Sequence, residues 1–242
     1  VGAGQFAAIG NPYASAIDYS KIPAPDLVNM VPFYYLWDPY MGLLGAYVTF
    51  ATSGAHTSST SYGANYFIES GQAFFVKSSG TAGSITLREP NKVDGSYLVS
   101  RPVSTDSRLK TSLYMLDSAG RHLYDGSLIE FDATYTKEVN EFDAEKMMNF
   151  GENLGIKLSD KVLSVERRTA FAESDTVFYN LGQVRAKTYQ LEFVAEHIAP
   201  TGLAAFLEDT YLNTKTPVSL TGTTLVDFNV INEPGSYASD RF

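Results

Sequence analysis

The chain has no cysteine, one tryptophan and three histidines in 242 residues, and each shortage removes a class of chemistry. Without thiols there are no disulfides, no thiolate metal sites and no cysteine nucleophile. His56, His122 and His197 stand apart, none with a carboxylate or a second histidine at ligand spacing. A zinc-binding H-E-x-x-H, a G-x-S-x-G nucleophile elbow and a phosphate-cradling glycine loop are all missing. Positive charge is scarce: 18 Lys and Arg face 27 Asp and Glu, for a net charge of −9. Arg167-Arg168 is the only adjacent basic pair, so the clustered basic face that binds a phosphate backbone is lacking. The same acidity repels anionic lipid, and no apolar run approaches the roughly 20 residues that span a bilayer as a helix. These shortages point to a non-enzymatic protein, with no nucleic-acid partner and no membrane insertion. No residue is assigned a catalytic role.

Apolar and aromatic side chains are abundant. Hydrophobic residues make up 44%, enough for a sizeable core, and the aromatics are 16 Tyr and 15 Phe. That bias suits pleated, half-buried surfaces. Strands are expected over Val31–Trp37, Gly45–Thr52, Gly71–Lys77 and Ser84–Glu89. A second group is expected at Val162–Glu166, Thr176–Tyr179, Thr188–Ala195, Ala204–Asp209 and Leu225–Val230. Leu113–Leu116, Asp117-Ser118-Ala119-Gly120 and a return through Phe131 read as a hairpin. Asp143–Phe150 reads as the one short helix, capped by Asp143 and ended by Gly151. Breaker pairs between Pro90 and Thr105 mark a boundary near residue 103. The expected architecture is all-β: two consecutive antiparallel, jelly-roll-like β-sandwich domains, 1–103 and 104–242, with at most one short helix.

Several strings recur in an order that resembles the region upstream of type IX secretion sorting domains in Bacteroidota surface and secreted proteins. They include Ile9-Gly10-Asn11-Pro12-Tyr13-Ala14-Ser15 with Ile17-Asp18, Tyr35-Leu36-Trp37-Asp38-Pro39, Gly45-Ala46-Tyr47-Val48 and the Gly71–Lys77 strand. The second half adds Phe142-Asp143-Ala144-Glu145-Lys146-Met147, Phe206-Leu207-Glu208-Asp209-Thr210-Tyr211-Leu212-Asn213-Thr214 and Asp240-Arg241-Phe242. The resemblance implies export across the outer membrane and an extracellular or outer-surface address. It names no ligand, because such modules accompany many activities. In the family, Asp-Arg-Phe runs on into another strand, so this chain reads as one piece of a longer protein. A neighbouring domain or a like subunit could then add a strand at either end.

Three sets of residues are candidate sites. Tyr34, Trp37 and Tyr40 lie in an aromatic run that could stack on sugar rings, with Asp38 accepting hydroxyl hydrogens; filling the core is the competing reading. Asp132, Glu141 and Asp143 belong to an acidic stretch that could supply oxygens to calcium, the candidate cofactor, although no EF-hand pattern is present. Ser118 and Thr176 sit in Asp-Ser/Thr-apolar triplets of the kind Bacteroidota glycosylate, and Ser118 at a hairpin tip is the more accessible. The expected function is a non-catalytic surface structural or adhesin module, a stalk or fibre component. A carbohydrate-binding accessory module of an exported hydrolase, with polysaccharide as partner, is the alternative.

Overall fold

The computed structural model describes residues 1–52, 56–57, 67–93, 107–198 and 202–242. The boundary expected near residue 103, and most of the Ser/Thr/Gly-rich segment 53–63, lie outside these residues. In the first half the strands are β1 (Phe6–Gly10), β2 (Ile17–Asp18), β3 (Leu27–Val28), β4 (Met30–Asp38), β5 (Ala46–Ala51), β6 (Phe67–Ile68), β7 (Ala73–Ser78) and β8 (Ser84–Ile85). The second half carries β9 (Ser107–Asp117), β10 (Gly120–Phe131), β11 (Ala144–Glu145), β12 (Asn153–Leu158) and β13 (Lys161–Arg168). It continues with β14 (Phe178–Gly182), β15 (Thr188–Glu196), β16 (Ala205–Asp209), β17 (Thr214–Val218) and β18 (Thr223–Asn229). Helical turns among the described residues are short 3₁₀ pieces. The protein is all-β.

Two principal sheets form, one with the order β1-β7-β4-β5 and one with the order β14-β12-β13-β10-β9-β15-β18, to which β11 adds through β13. The frame of the larger sheet is the expected hairpin. Asp117 Oδ1 accepts from Ala119 N at 2.8 Å and Gly120 N at 3.1 Å, closing the turn between β9 and β10. Gly120 takes a φ of +128°, a conformation open to glycine at little cost. One pairing departs from the antiparallel expectation: Leu128–Phe131 of β10 runs parallel to Val165–Arg168 of β13. Glu130 and Arg167 are partners in that register, and Arg167 Nε reaches Glu130 Oε2 at 2.7 Å inside the protein.

Three apolar clusters hold the sheets. One lies under the larger sheet around Leu113, Tyr189, Leu191, Phe193 and Phe228. A second fills the first half around Tyr19, Tyr34, Phe50 and Phe74. The third joins the halves, with Val31, Phe33, Tyr35 and Ala51 packed on Leu128, Ala144 and Val165. Polar bonds cross the same seam: Thr49 Oγ1 donates to Ser164 Oγ at 2.9 Å and Tyr35 OH to the Glu145 carbonyl at 3.0 Å. Strand β4 is therefore apolar on both faces, with Phe33 and Tyr35 towards the shared cluster and Tyr34 and Leu36 towards the second.

The helix expected over Asp143–Phe150 does not form. Ala144 and Glu145 pair with Val165 and Leu163 of β13, and Lys146 N donates to the Val162 carbonyl at 2.8 Å. Asp143, expected as a helix cap, instead accepts from Arg167 N at 2.8 Å and Asn140 N at 2.9 Å. An eight-residue helix is marginal without tertiary support. Here the edge of β13 offers the backbone better partners, and Ala144 and Lys146 are buried on either side of the half-buried Glu145.

Candidate functional site

Among the described residues a concavity lies where the β4–β5 loop of the first half meets β10 and two loops of the second. It encloses about 380 Å³. It is lined by Gly42–Gly45 of that loop, by Tyr124, by Phe150–Glu152, and by Gln183 and Arg185.

Local backbone chemistry explains why the loop lies where it does. Gly42 and Gly45 have φ of +60° and +80°, which L side chains rarely adopt. A Cβ on Gly42 would come within 2.8 Å of the Tyr124 ring, and one on Gly45 would collide with the Trp37 indole. Only glycine lets this loop lie flat on two aromatic rings. Gly42 N then donates to the Leu123 carbonyl at 2.8 Å, pinning the first half to β10. Across the groove, Gln183 is held at φ +55°, a strained state for a side-chain-bearing residue.

The rim is apolar and open: Leu43 and Phe150 are each 70% exposed and Leu44 61%. Single exposed hydrophobes are ordinary, but here three stand around one concavity, which makes it the candidate site. Beneath them lies a polar network. Glu152, buried, accepts from Arg185 Nε at 2.7 Å and from Tyr189 OH at 2.9 Å through the same oxygen. The Glu152 bond holds the Arg185 guanidinium above its usual range. Burial, followed by the Glu152 charge, raises the Tyr124 phenol. Arg185 keeps its side chain 47% exposed, so a fixed cation lines the same concavity as the exposed apolar side chains. Such a site can hold an apolar or ring-shaped group against the rim while a polar group meets Arg185 or Gln183.

The residues expected from the sequence are distributed unevenly around this groove. Trp37 is half-buried beside it, with its ring 5.8 Å from Phe150 and 4.7 Å from Tyr47. Tyr40 is exposed near the start of the same β4–β5 loop. Tyr34 must be corrected: it is 1% exposed and stacked on Phe50 at 5.1 Å, because the second face of β4 is covered as well as the first. Asp38 is also buried, its Oδ1 accepting from Tyr40 N at 2.9 Å, so it is not offered to a sugar hydroxyl.

The acidic residues expected at a calcium site are not brought together. Asp132 is exposed and bonded to Thr134, Glu141 is exposed in its loop, and Asp143 is buried against backbone amides of Arg167 and Asn140. No group of three or more His, Asp or Glu placed to hold a metal occurs among the described residues. Ser118 is exposed at the β9–β10 tip, and Thr176 is exposed in the loop before β14.

Sheet edges are the other surface open to partners. The outer side of β14 is covered, with Tyr179 N donating to the Phe242 carbonyl at 2.9 Å and Leu181 N to Ser239 at 3.0 Å. Side chains cap β5, Asn149 Oδ1 accepting from Tyr47 N at 2.8 Å. No described strand pairs the outer side of β1 or β18.

No protein-family model matches this chain, and no curated protein or solved structure is significantly similar to it.

Proposed function

We propose that this chain is a non-catalytic structural and adhesive module displayed at the outer surface of a Bacteroidota cell as part of a type IX-exported protein. The sheets are its scaffold, the groove its contact site, and β18 an edge along which a neighbouring domain or like copy adds. The observation that carries this reading is the groove. Its rim leaves three large apolar side chains, Leu43, Leu44 and Phe150, open to solvent, where they contribute little to the core. The surface address rests on the ordered resemblance of the sequence blocks. The alternative, a carbohydrate-binding accessory module, draws support from Trp37 and exposed Tyr40 beside the same groove.

The test is binding of the folded chain to a panel of immobilised polysaccharides and to intact bacterial cells, compared with a Leu44→Asp/Phe150→Ser variant. Both positions are exposed, so the melting temperature should hold within a few degrees. Loss of at least tenfold in cell binding supports the adhesive reading. Loss confined to one polysaccharide favours the accessory module. Binding unchanged by the double substitution refutes the groove as the contact site.

A further inference from the structure

Asp125 and Lys146 meet in the interior, Nζ 2.6 Å from Oδ2, with side chains 1% and 2% exposed. Both are held by strands. Asp125 follows a bulge in β10, where the register with β9 shifts between Leu123 and Asp125. Lys146 directly follows β11 and is tied to β13 through its own N–H. Its stem passes over Gly155, where a Cβ would approach Lys146 Cδ to 3.1 Å.

As an ion pair this arrangement is poorly satisfied. Oδ2 also accepts from Leu154 N at 2.6 Å, but Oδ1 is buried with no hydrogen-bond partner among the described residues. An ammonium carries three donors, and Asp125 is the acceptor found for it among the described residues. Burying two charges is repaid only when the remaining lone pairs and protons are bonded. An amide between the same atoms would carry no charge. It would ask for one acceptor and one donor, and Leu154 N–H already points at the oxygen that would become its carbonyl.

We propose that Asp125 and Lys146 are joined by an intramolecular isopeptide bond. A nitrogen hydrogen-bonded to one carboxylate oxygen lies about 3–3.5 Å from the carboxyl carbon, the separation of a near-attack arrangement. A proton passes from Nζ to Oδ1 of the carboxylate within the pair, leaving an amine and a carboxylic acid. The amine lone pair attacks Cγ and forms the Nζ–Cγ bond. The carbonyl electron pair moves onto Oδ2, where Leu154 N–H stabilises it. Oδ1 takes a second proton from Nζ and departs as water as the carbonyl re-forms. One C–N bond is made, one C–O bond is broken and one water is released; no oxidant, reductant or cofactor enters. The cross-link would close residues 125–146 into a ring and tie β10 covalently to the strand that follows its long exposed loop.

Intact-mass measurement of the folded full chain should fall short of the sequence mass by one water, about 18 Da. A cyclic imide at Asp125-Gly126 would have the same mass, so a tryptic digest decides between them. The isopeptide gives a branched peptide carrying both Asp125 and Lys146, with no cleavage after Lys146. The imide gives linear peptides that hydroxylamine cleaves. Lys146→Arg should restore the full mass, and if that variant does not fold, the wild-type digest still decides. Full sequence mass in the folded chain, or a water deficit with normal cleavage after Lys146, overturns the proposal.

Discussion

Arg241 offers the sharpest energetic prediction. Its side chain is 0% exposed, and the guanidinium donates from Nε to Asp209 Oδ1 at 2.9 Å and from Nη2 to Oδ2 at 2.6 Å. Nη1 donates to the carbonyls of Asn229 and Ser236, each at 2.8 Å. The rings of Tyr211, Phe228 and Phe242 lie 5.0, 5.1 and 5.0 Å from its central carbon. These contacts join two sequence blocks far apart in the chain, Phe206–Thr214 and Asp240-Arg241-Phe242, and fasten the β16–β17 hairpin beside β18. Removing one partner of a buried, hydrogen-bonded pair costs about 3–5 kcal/mol, because the other charge is left uncompensated. That is a large share of the roughly 5–15 kcal/mol that holds a typical domain. Arg241→Ala should therefore lower the denaturation midpoint steeply. A two-stranded hairpin is marginal alone, so amide exchange in Ala205–Val218 should accelerate more than in β9–β10. Arg241→Lys keeps the charge but not the two-pronged fork, and should recover only part of the loss. Asp209→Leu with Arg241→Met should cost less than the single changes sum to. A cost below about 1 kcal/mol for Arg241→Ala, by equilibrium denaturation, would refute the view that this pair anchors the hairpin.

Other perturbations follow from the same packing. Gly45→Ala meets both a φ of +80° and the Trp37 ring; it should cost about 1–3 kcal/mol and disturb the groove wall, read by thermal denaturation and Trp37 fluorescence. Glu166 is pushed above the ordinary carboxylate range by burial, against the pull of Arg168. A raised acid binds its proton more readily in the folded state, so its contribution becomes more favourable as pH falls through the folded value. Hence Glu166→Gln should lose ground to wild type on acidification, and a constant difference in melting temperature between neutral and mildly acid pH would contradict this. Because Asp132, Glu141 and Asp143 have separate surroundings, EDTA should leave the melting temperature unchanged; a rise with added calcium would count against that separation.

Much of the fold is legible in the residues. The β9–β10 hairpin announces itself through Asp117 and Gly120, and Thr188–Ala195 through alternation that matches β15 almost to the residue. Strand β12 escapes notice because Gly155 reads as a breaker; in the fold it marks a close approach, since a Cβ there would strike Val162. Pro217 similarly hides β17, which is tolerated on an edge hairpin. The helix misreading at Asp143–Phe150 has another cause, a local pattern overridden by the unpaired edge of β13. Tyr34 was legible as part of a strand but not as buried, because alternation shows which residues share a face and not whether that face is covered. The groove is the least legible feature. It draws on Leu43, Tyr124, Phe150 and Arg185, four segments that only the fold brings together. Its one local sign is the pair Gly42 and Gly45 flanking Leu43-Leu44.

The measurement that bears most directly on a surface-displayed module is electron microscopy of intact native cells labelled with antibody against the folded chain. The account predicts label on the outer face of unpermeabilised cells, on filaments or a surface layer. Label that appears only after permeabilisation would contradict it.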